Sequence, residues 1–471
     1  MGDLSTKSSS PPSAGDFTFE EIQALECDDL FRARTGPGIR KVSTETLSGF
    51  WNAPSSSSSL AAPSATVRFI GHDRRQQRQG SFEMPTAVIS AEVLEFVGFN
   101  QATAKTVCER FMNRPDPSIN VDSFLDYATS QVQQMRVLET TDYTDREIMA
   151  REAMALVGLT TDFQDRMLGP RFKTVYGTEN LLFWVLDTLK VGYLALEQLH
   201  DRLKDRVRII EAKGKVKAKR ALKQENSSNG PSQAALPQTT ATVSQTPKDH
   251  SLPANLISIE TGPALPSPLE YMVLYKATAA LEMGGNSWID DDGIVDMNVM
   301  SSVPGGDFSY RSMVHGWTPE REVAKLYREW AQRRCPYSET WVVRICVPIT
   351  LINSIPTTEL WFSPDWKEFV WYCRRKRRPP EKFNYLDPEN RAIGLIKGHI
   401  STNMAQQVAH IRKADVQSTI SDDFVLRNPI TGSMGTQWVF TIPSIIDRLG
   451  VEIRGSIHID VTAATKGDGT E

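Results

Sequence analysis

Apolar residues recur at helical spacing through most of residues 85–222, whereas after residue 267 they gather into short strand-like runs. AEVLEFVGF, QATAKTVCERFM and VDSFLDYATSQV each read as an amphipathic helix. TDREIMAREAMALVGL is expected to open on a capping box from Thr144 to Glu147 and to close near Gly158. After Thr178, a seam of Leu182, Leu186, Leu189, Tyr193, Leu196, His200, Leu203, Val207 and Ile210 steps alternately by four and three. That heptad seam (182–210) predicts one long coiled-coil-like helix. It either lies on its own domain or pairs with a partner helix or a second copy. His200 in the seam reads as a tolerated core residue. The helix ends in KGKVKAKRALK, basic residues that complement its C-terminal dipole.

The second half begins with the strand-like YMVLYKAT (271–278), followed by WVVRICVP (341–348), AIGLIKG (392–398) and QWVFTI (437–442). Between the first two lies MVHGWTPEREVAKLYREWA, the most strongly patterned piece of the chain. Thr318 is placed to cap a helix with Pro319 at its first position and Glu320 beside its positive end. Val323, Ala324, Tyr327, Trp330 and Ala331 share one face. SPDWKEFVWYCRR repeats the Ser-Pro-acid opening, with Trp366, Phe369, Val370 and Cys373 on one face. A short helix ending at Gly450, then Val451–Ile453, is expected to close the unit. Helices and strands do not alternate strictly, so this half predicts α+β rather than a doubly wound sheet.

The expected organisation is therefore multidomain. Residues 1–84 read as a mostly disordered Ser/Pro-rich region with one short extended element at Ala65–Ile70. A mostly α-helical module follows at 85–222, then a flexible linker at 223–266, an α+β domain at 267–458 and a disordered tail at 459–471. Most tryptophans, from Trp288 to Trp438, fall after residue 280.

Charge is nearly balanced, with 53 basic and 57 acidic side chains, so no global attraction to nucleic acid or membrane is implied. Leu181–Leu196 is broken by Asp187 and Lys190, which excludes it as a membrane span. The start MGDLST fits a loose myristoylation pattern at Gly2, but an acidic residue straight after the glycine makes a poor site. With no signal-like run at the start, the expectation is a cytoplasmic protein, or a nuclear one if the basic run 374–378 (RRKRR) is an import signal. Pro379 and Pro380 give that run a plainer account, as the last turn of a stopped helix. Five cysteines without a CxxC pair and seven scattered histidines offer no metal site. Asp290–Asp292 before Gly293 reads as a solvated turn rather than a calcium loop. No dinucleotide-binding glycine fingerprint, P-loop, zinc-protease, nucleophile-elbow or kinase signature is present.

The order of elements after residue 267 carries a resemblance. It runs Leu-Tyr-Lys on a first strand, Asp307-Phe308, Gly-Trp-Thr-Pro before a helix ending Tyr-Arg-Glu-Trp-Ala, a valine-rich strand, LWFSPDWKEFVWYCR, AIGLIKG and GTQWVFTI. This resembles the ADP-ribosyltransferase fold, nearest a widespread subgroup whose members read LYHG, DFG, GFYxT, WxxFV and DQxxF in that order. The resemblance covers about 190 residues, the C-terminal two-fifths of the chain. It implies two small packed sheets with a cleft between them that binds nicotinamide adenine dinucleotide (NAD). It places Lys276 where the family has an Arg or His for the ribose or phosphates. Trp317 falls at the family's second-strand Tyr, as a stacking wall or simply as core, with Thr318 capping the helix behind.

Gln437 stands where the family's catalytic glutamate is expected. An amide can bond a ribose hydroxyl but cannot supply the negative charge that stabilises an oxocarbenium-like transition state. The resemblance therefore implies an ADP-ribosyltransferase slowed or silenced at Gln437, unless Asp307, Glu320 or Glu452 replaces the missing carboxylate. The alternative is a non-catalytic interaction or regulatory protein that reuses the fold and self-associates through its long helix.

Overall fold

A computed structural model describes residues 16–47, 65–70, 80–115, 121–134, 138, 147–225, 256–283, 288–290, 292–408 and 410–465, with backbone alone at 33, 215–225 and 406. Thr144, the five-serine tract and most of the 223–266 linker lie outside these residues. The α+β character holds, but several boundaries move.

The N-terminal region is more ordered than its Ser/Pro content predicts. Helix α1 (Phe19–Cys27) opens on a capping box in which Thr18 and Glu21 satisfy each other's backbone N–H groups. Strands β1 (Phe31–Gly36) and β2 (Ile39–Ser43) form a hairpin, and β4 (Ser81–Pro85) pairs with β2. Strand β3 (Thr66–Ile70), the short extended element, does not join them. It crosses into the C-terminal half, so the expected 1–84 segment belongs to both halves.

The helical module contains a repeat that the hydrophobic pattern alone did not reveal. Helices α2 (Ala91–Val97) and α3 (Gln101–Met112) meet at Val-Gly-Phe-Asn. Past α4 (Phe124–Gln133), α5 (Glu147–Leu156) and α6 (Thr161–Met167) meet at Val-Gly-Leu-Thr. The two turns exchange backbone hydrogen bonds, Asn100 N to Gly158 O at 2.7 Å and Thr160 N to Gly98 O at 2.9 Å. Gly98 and Gly158 sit at φ +129° and +88°, a region glycine enters without steric cost.

Helix α7 (Leu181–Glu225) runs across this module. Its seam residues Leu189, Tyr193, Leu196, His200, Leu203 and Val207 are buried in the core of the same chain. His200 stacks on Phe17 at 4.7 Å and its Nε2 lies 2.9 Å from the Pro85 carbonyl. From Leu189 to Val207 the seam thus packs into the chain's own core, the first of the two arrangements expected along 182–210.

In the C-terminal half, β5 (Ile257–Ser258), β6 (Tyr271–Ala279), β8 (Thr340–Pro348) and β12 (Ile457–Thr462) combine with β3 in a five-stranded sheet of order β5-β3-β12-β8-β6. Strands β7 (His315–Trp317), β9 (Thr357–Leu360), β10 (Leu395–His399) and β11 (Thr436–Phe440) form a second sheet, ordered β7-β11-β10-β9. Between the strands lie helices α8 (Arg321–Arg334), α9 (Ile349–Ser354), α10 (Pro364–Arg374) and α11 (Pro443–Glu452). The expected tail at 459–471 is wrong for its first residues, because β12 lies at the centre of the larger sheet. Its alternation Ile457, Ile459, Val461 is a strand signature, and His458 and Asp460 between them are buried against partners rather than solvated.

Helix α8 joins the halves. Ala324 faces Tyr275 and Val342 of the sheet, while Val323, Leu326 and Trp330 enter the helical core. Trp330 lies among Phe172, Tyr176 and Trp184 at ring separations of 5.7, 5.7 and 5.9 Å. At the end of α8, the buried Arg334 guanidinium stacks over Trp184 at 4.5 Å and is bonded to Asp187, Thr188 and Glu282. Burial and the Asp187 charge push the Glu282 carboxyl up to about 7, with Arg334 opposing them.

Removing one member of a buried ion network leaves the others uncompensated, at a cost of about 3–5 kcal/mol. Arg334→Ala is therefore expected to destabilise both halves together by about that amount, read as one shifted urea transition. Two separated transitions in the wild type, with Arg334→Ala moving neither, would contradict a shared joint.

Candidate functional site

The resemblance singles out Lys276, Trp317, Thr318 and Gln437, and the structure gives each a definite place. Thr318 continues β7 and exchanges two backbone hydrogen bonds with Tyr275 of β6, at 2.7 and 2.9 Å. This extended pairing delays α8, which starts at Arg321 with Glu320 in the cap position and no side-chain cap bond. Thr318 is therefore not the helix cap expected of it; its hydroxyl accepts from Glu320 N at 3.1 Å. The Glu320 carboxylate is used elsewhere, accepting from Thr436 N, Thr436 Oγ1 and Asn428 Nδ2 at 2.6–2.9 Å.

Lys276, half-buried on β6, donates from Nζ to the Gly316 carbonyl at 3.2 Å. Burial pushes its ammonium down to about 8, with Glu282 pulling the other way. Trp317 is 2% exposed, pairs with Trp438 across β7–β11 and belongs to the core between the sheets with Trp288 and Trp341. Of its two expected roles, the structure supports core packing. His315, two residues earlier on the same strand face, is also buried, beside the Met297 backbone. Burial and then the Lys276 charge push its imidazole down to about 4, while the backbone at Met297 favours the charged ring.

Gln437 lies on β11 next to Trp438, and successive strand residues point to opposite faces. Its amide Nε2 donates to Asp307 Oδ2 at 2.6 Å and to the His399 carbonyl at 3.2 Å. Asp307 is itself the hub of a buried network. It accepts from Arg374 Nε at 2.8 Å, from Ser401 N at 2.7 Å and from the Ser401 hydroxyl. Arg374 also bonds Glu179 at 2.8 Å, just before α7, linking the second sheet to the helical module. Burial pushes the Glu179 carboxyl up, with Arg374 opposing. Sequence reasoning noted Asp307 as a spare carboxylate but missed Arg374, Ser401 and Glu179, which only folding brings together.

The structure therefore brings Lys276, Trp317 and Thr318 to the β6–β7 junction and turns Gln437 to the opposite sheet face, bound to Asp307. None of the four lines either of two small cavities, each with room for about one water. One is lined by Phe308, Tyr310 and Phe383, the other by Phe96, Arg166 and Tyr337. Glu452 closes α11, within reach of Arg448 at 3.6 Å.

The basic run 374–378 is partly internal, since Arg374 is buried and Arg375 Nη1 donates to the Val408 carbonyl at 3.0 Å. Asp290 accepts from Ile294 N at 2.7 Å ahead of Gly293 at φ +80°, in keeping with a turn; Asp291 lies outside the described residues. Among the described residues, no group of three or more His, Cys, Asp and Glu side chains could hold a metal, and no helix is long and apolar enough to cross a membrane. Compared with known proteins, the chain matches no family model, no curated protein and no solved structure.

The Lys276 environment gives a signed prediction. Between about 8 in the folded state and the ordinary 10.5 of the unfolded chain, the unfolded state holds the extra proton, so stability rises with pH. Lys276→Met is expected to raise stability at pH 7 by on the order of 1–3 kcal/mol. It should also flatten the pH dependence between those values, as read from urea unfolding at pH 7, 8.5 and 10. An unchanged slope would mean that Lys276 is not desolvated in the folded state.

Proposed function

We propose that this chain is a non-catalytic interaction or regulatory protein, built on an ADP-ribosyltransferase-like two-sheet unit whose reactive position is silenced. The observation carrying this reading is the 2.6 Å bond from Gln437 Nε2 to Asp307. A residue meant to touch a ribose would present a free carboxylate; Gln437 presents an amide already used as a donor. Asp307 does not replace it, because Arg374, Ser401 and Gln437 occupy its oxygens. Glu320 is likewise occupied by Thr436 and Asn428.

A second reading, NAD binding without turnover, is favoured by one observation. The Trp317 indole N–H is buried without a hydrogen-bond partner near Lys276, and an unmet polar group of this kind is what a polar ligand satisfies.

The test is titration of NAD into the full chain by calorimetry, with nicotinamide release assayed in parallel. The expected outcome is no release by the wild type. Gln437→Glu should also release none, and it should be destabilised by about 1–3 kcal/mol because its new carboxylate meets Asp307. Saturable binding abolished by Lys276→Ala, without release, would select the second reading. Nicotinamide release by the wild type would overturn both.

A further inference from the structure

The face of the five-stranded sheet opposite the Lys276 side chain carries a concentration of cationic groups that neither reading uses. Sheet register builds it. Tyr275, Arg344, His458 and Thr66 are consecutive partners across β6, β8, β12 and β3, and Ala277, Val342, Asp460 and Arg68 form the neighbouring row on the same face. Helix α8 lies over part of this face. Its first residue, Arg321, reaches Asp460 Oδ2 at 3.1 Å, and Arg328 reaches Thr462 Oγ1 at 3.1 Å.

Asp460 is shared. Arg68 Nε lies 2.7 Å from Oδ1, and His458 Nε2 lies 3.0 Å from the same oxygen. The other ring nitrogen of His458 lies 3.0 Å from Thr66 Oγ1, which holds the imidazole between Thr66 and Asp460. Burial pushes the Asp460 carboxyl up, but the hydrogen bonds from His458, Arg68 and Arg321 outweigh it and hold the group well below the usual carboxylate range.

The charges do not balance. Among the described residues, Asp460 is the single carboxylate in ion-pair contact with Arg68, Arg321 and Arg344 taken together, and Arg344 has none. Arg344 donates from Nη1 to the Pro263 carbonyl at 3.0 Å, and its Nε is buried without a partner. The Tyr275 phenol borders the same cations: burial pushes it up, while the Arg344 and Arg321 charges pull it down. Two guanidinium groups bonded to one carboxylate, with a third in the adjoining row that has none, leave an excess of two positive charges on this partly dry face. The opening is toward solvent, since the Arg321 side chain is 43% exposed and that of Arg68 is 23% exposed.

We propose that Arg321 and Arg68, held by Asp460, and Arg344, held by the Pro263 carbonyl, form a binding site for a compact multiply charged anion of the phosphate or diphosphate class. Guanidinium forks match phosphate oxygens in pairs and lose less on desolvation than an ammonium does. The start of α8 contributes the partial positive charge of its unsatisfied N–H groups on the same side. The site is independent of the NAD reading, because Tyr275 and Lys276 are adjacent strand residues and point to opposite faces.

The experiment is a thermal-shift titration of the full chain with inorganic phosphate and pyrophosphate, each against sodium chloride at matched ionic strength. A ligand that binds only the folded state raises Tm in a saturable way. The expected result is a saturable rise, larger for pyrophosphate. Apparent affinity should fall at least tenfold in Arg321→Gln and in Arg344→Gln and stay unchanged in Arg377→Gln. Arg321 is the more exposed and leaves Asp460 with two partners, so Arg321→Gln decides the matter if Arg344→Gln does not fold. A non-saturating rise equal to that of chloride, or a rise fully retained in Arg321→Gln, would overturn the proposal.

Discussion

Everything in the arrangement of the two halves turns on a charge that cannot reach water. Arg334 ends α8 inside the protein, and its guanidinium is held by Asp187 from the helical module and Glu282 from the C-terminal half, over the ring of Trp184. A buried ion pair of this kind adds little net stability compared with an apolar substitute, but it tolerates few alternative geometries. It therefore fixes where α8 ends, and with it which face of α8 meets the sheet and which meets the helices. Small Ala324 and Ala331 let the helix approach the strands closely, and bulky Trp330 fills the helical core. The helical half and the two-sheet half consequently share one interior.

The same economy of partners governs the polar interior of the second sheet. Asp307, Arg374, Glu179, Ser401 and Gln437 form one connected set in which Asp307 and Glu179 share the Arg374 counter-charge and the Gln437 amide completes the coordination of a carboxylate. An amide suits that position better than a second acid would, because two adjacent buried carboxylates cannot both ionise. Gln437 is thus explained by the packing around it without recourse to a reaction. Trp317 is the opposite case, with its indole N–H enclosed and unmatched.

Much of this was legible in the sequence where one periodicity dominated. The strand runs beginning at Tyr271, Trp341 and Gln437 and the helix opening at Ser363-Pro364 sit within two residues of their observed places, because hydrophobic period and turn chemistry agree there. The misses have physical causes. Ile457–Thr462 hides a central strand behind His458 and Asp460, which look solvated until Arg68 and Arg321 reach Asp460 and Thr66 reaches His458. Thr318 looks like a cap, but strand pairing with Tyr275 overrides local helix chemistry. The heptad of α7 looks like a dimer seam, yet nothing in a seam says whether its partner comes from the same chain. At the candidate site, single positions could be named, but their grouping depends on contacts far apart in sequence, such as Gln437 with Asp307.

Strand β3 has a consequence for how the protein is made. Arg68 and Asp460 stand 392 positions apart, and β12 lies between β3 and β8 in the sheet. During synthesis at ~5–20 residues per second, an N-terminal strand of this kind waits about 20–80 s for its neighbour to leave the ribosome. Until then its hydrogen-bonding edge and the apolar side chains Val67 and Phe69 stand open to other chains. A nascent polypeptide of this design carries one strand in need of shelter across those 392 positions, and a message cut short ahead of Ile457 would leave that strand without its mate.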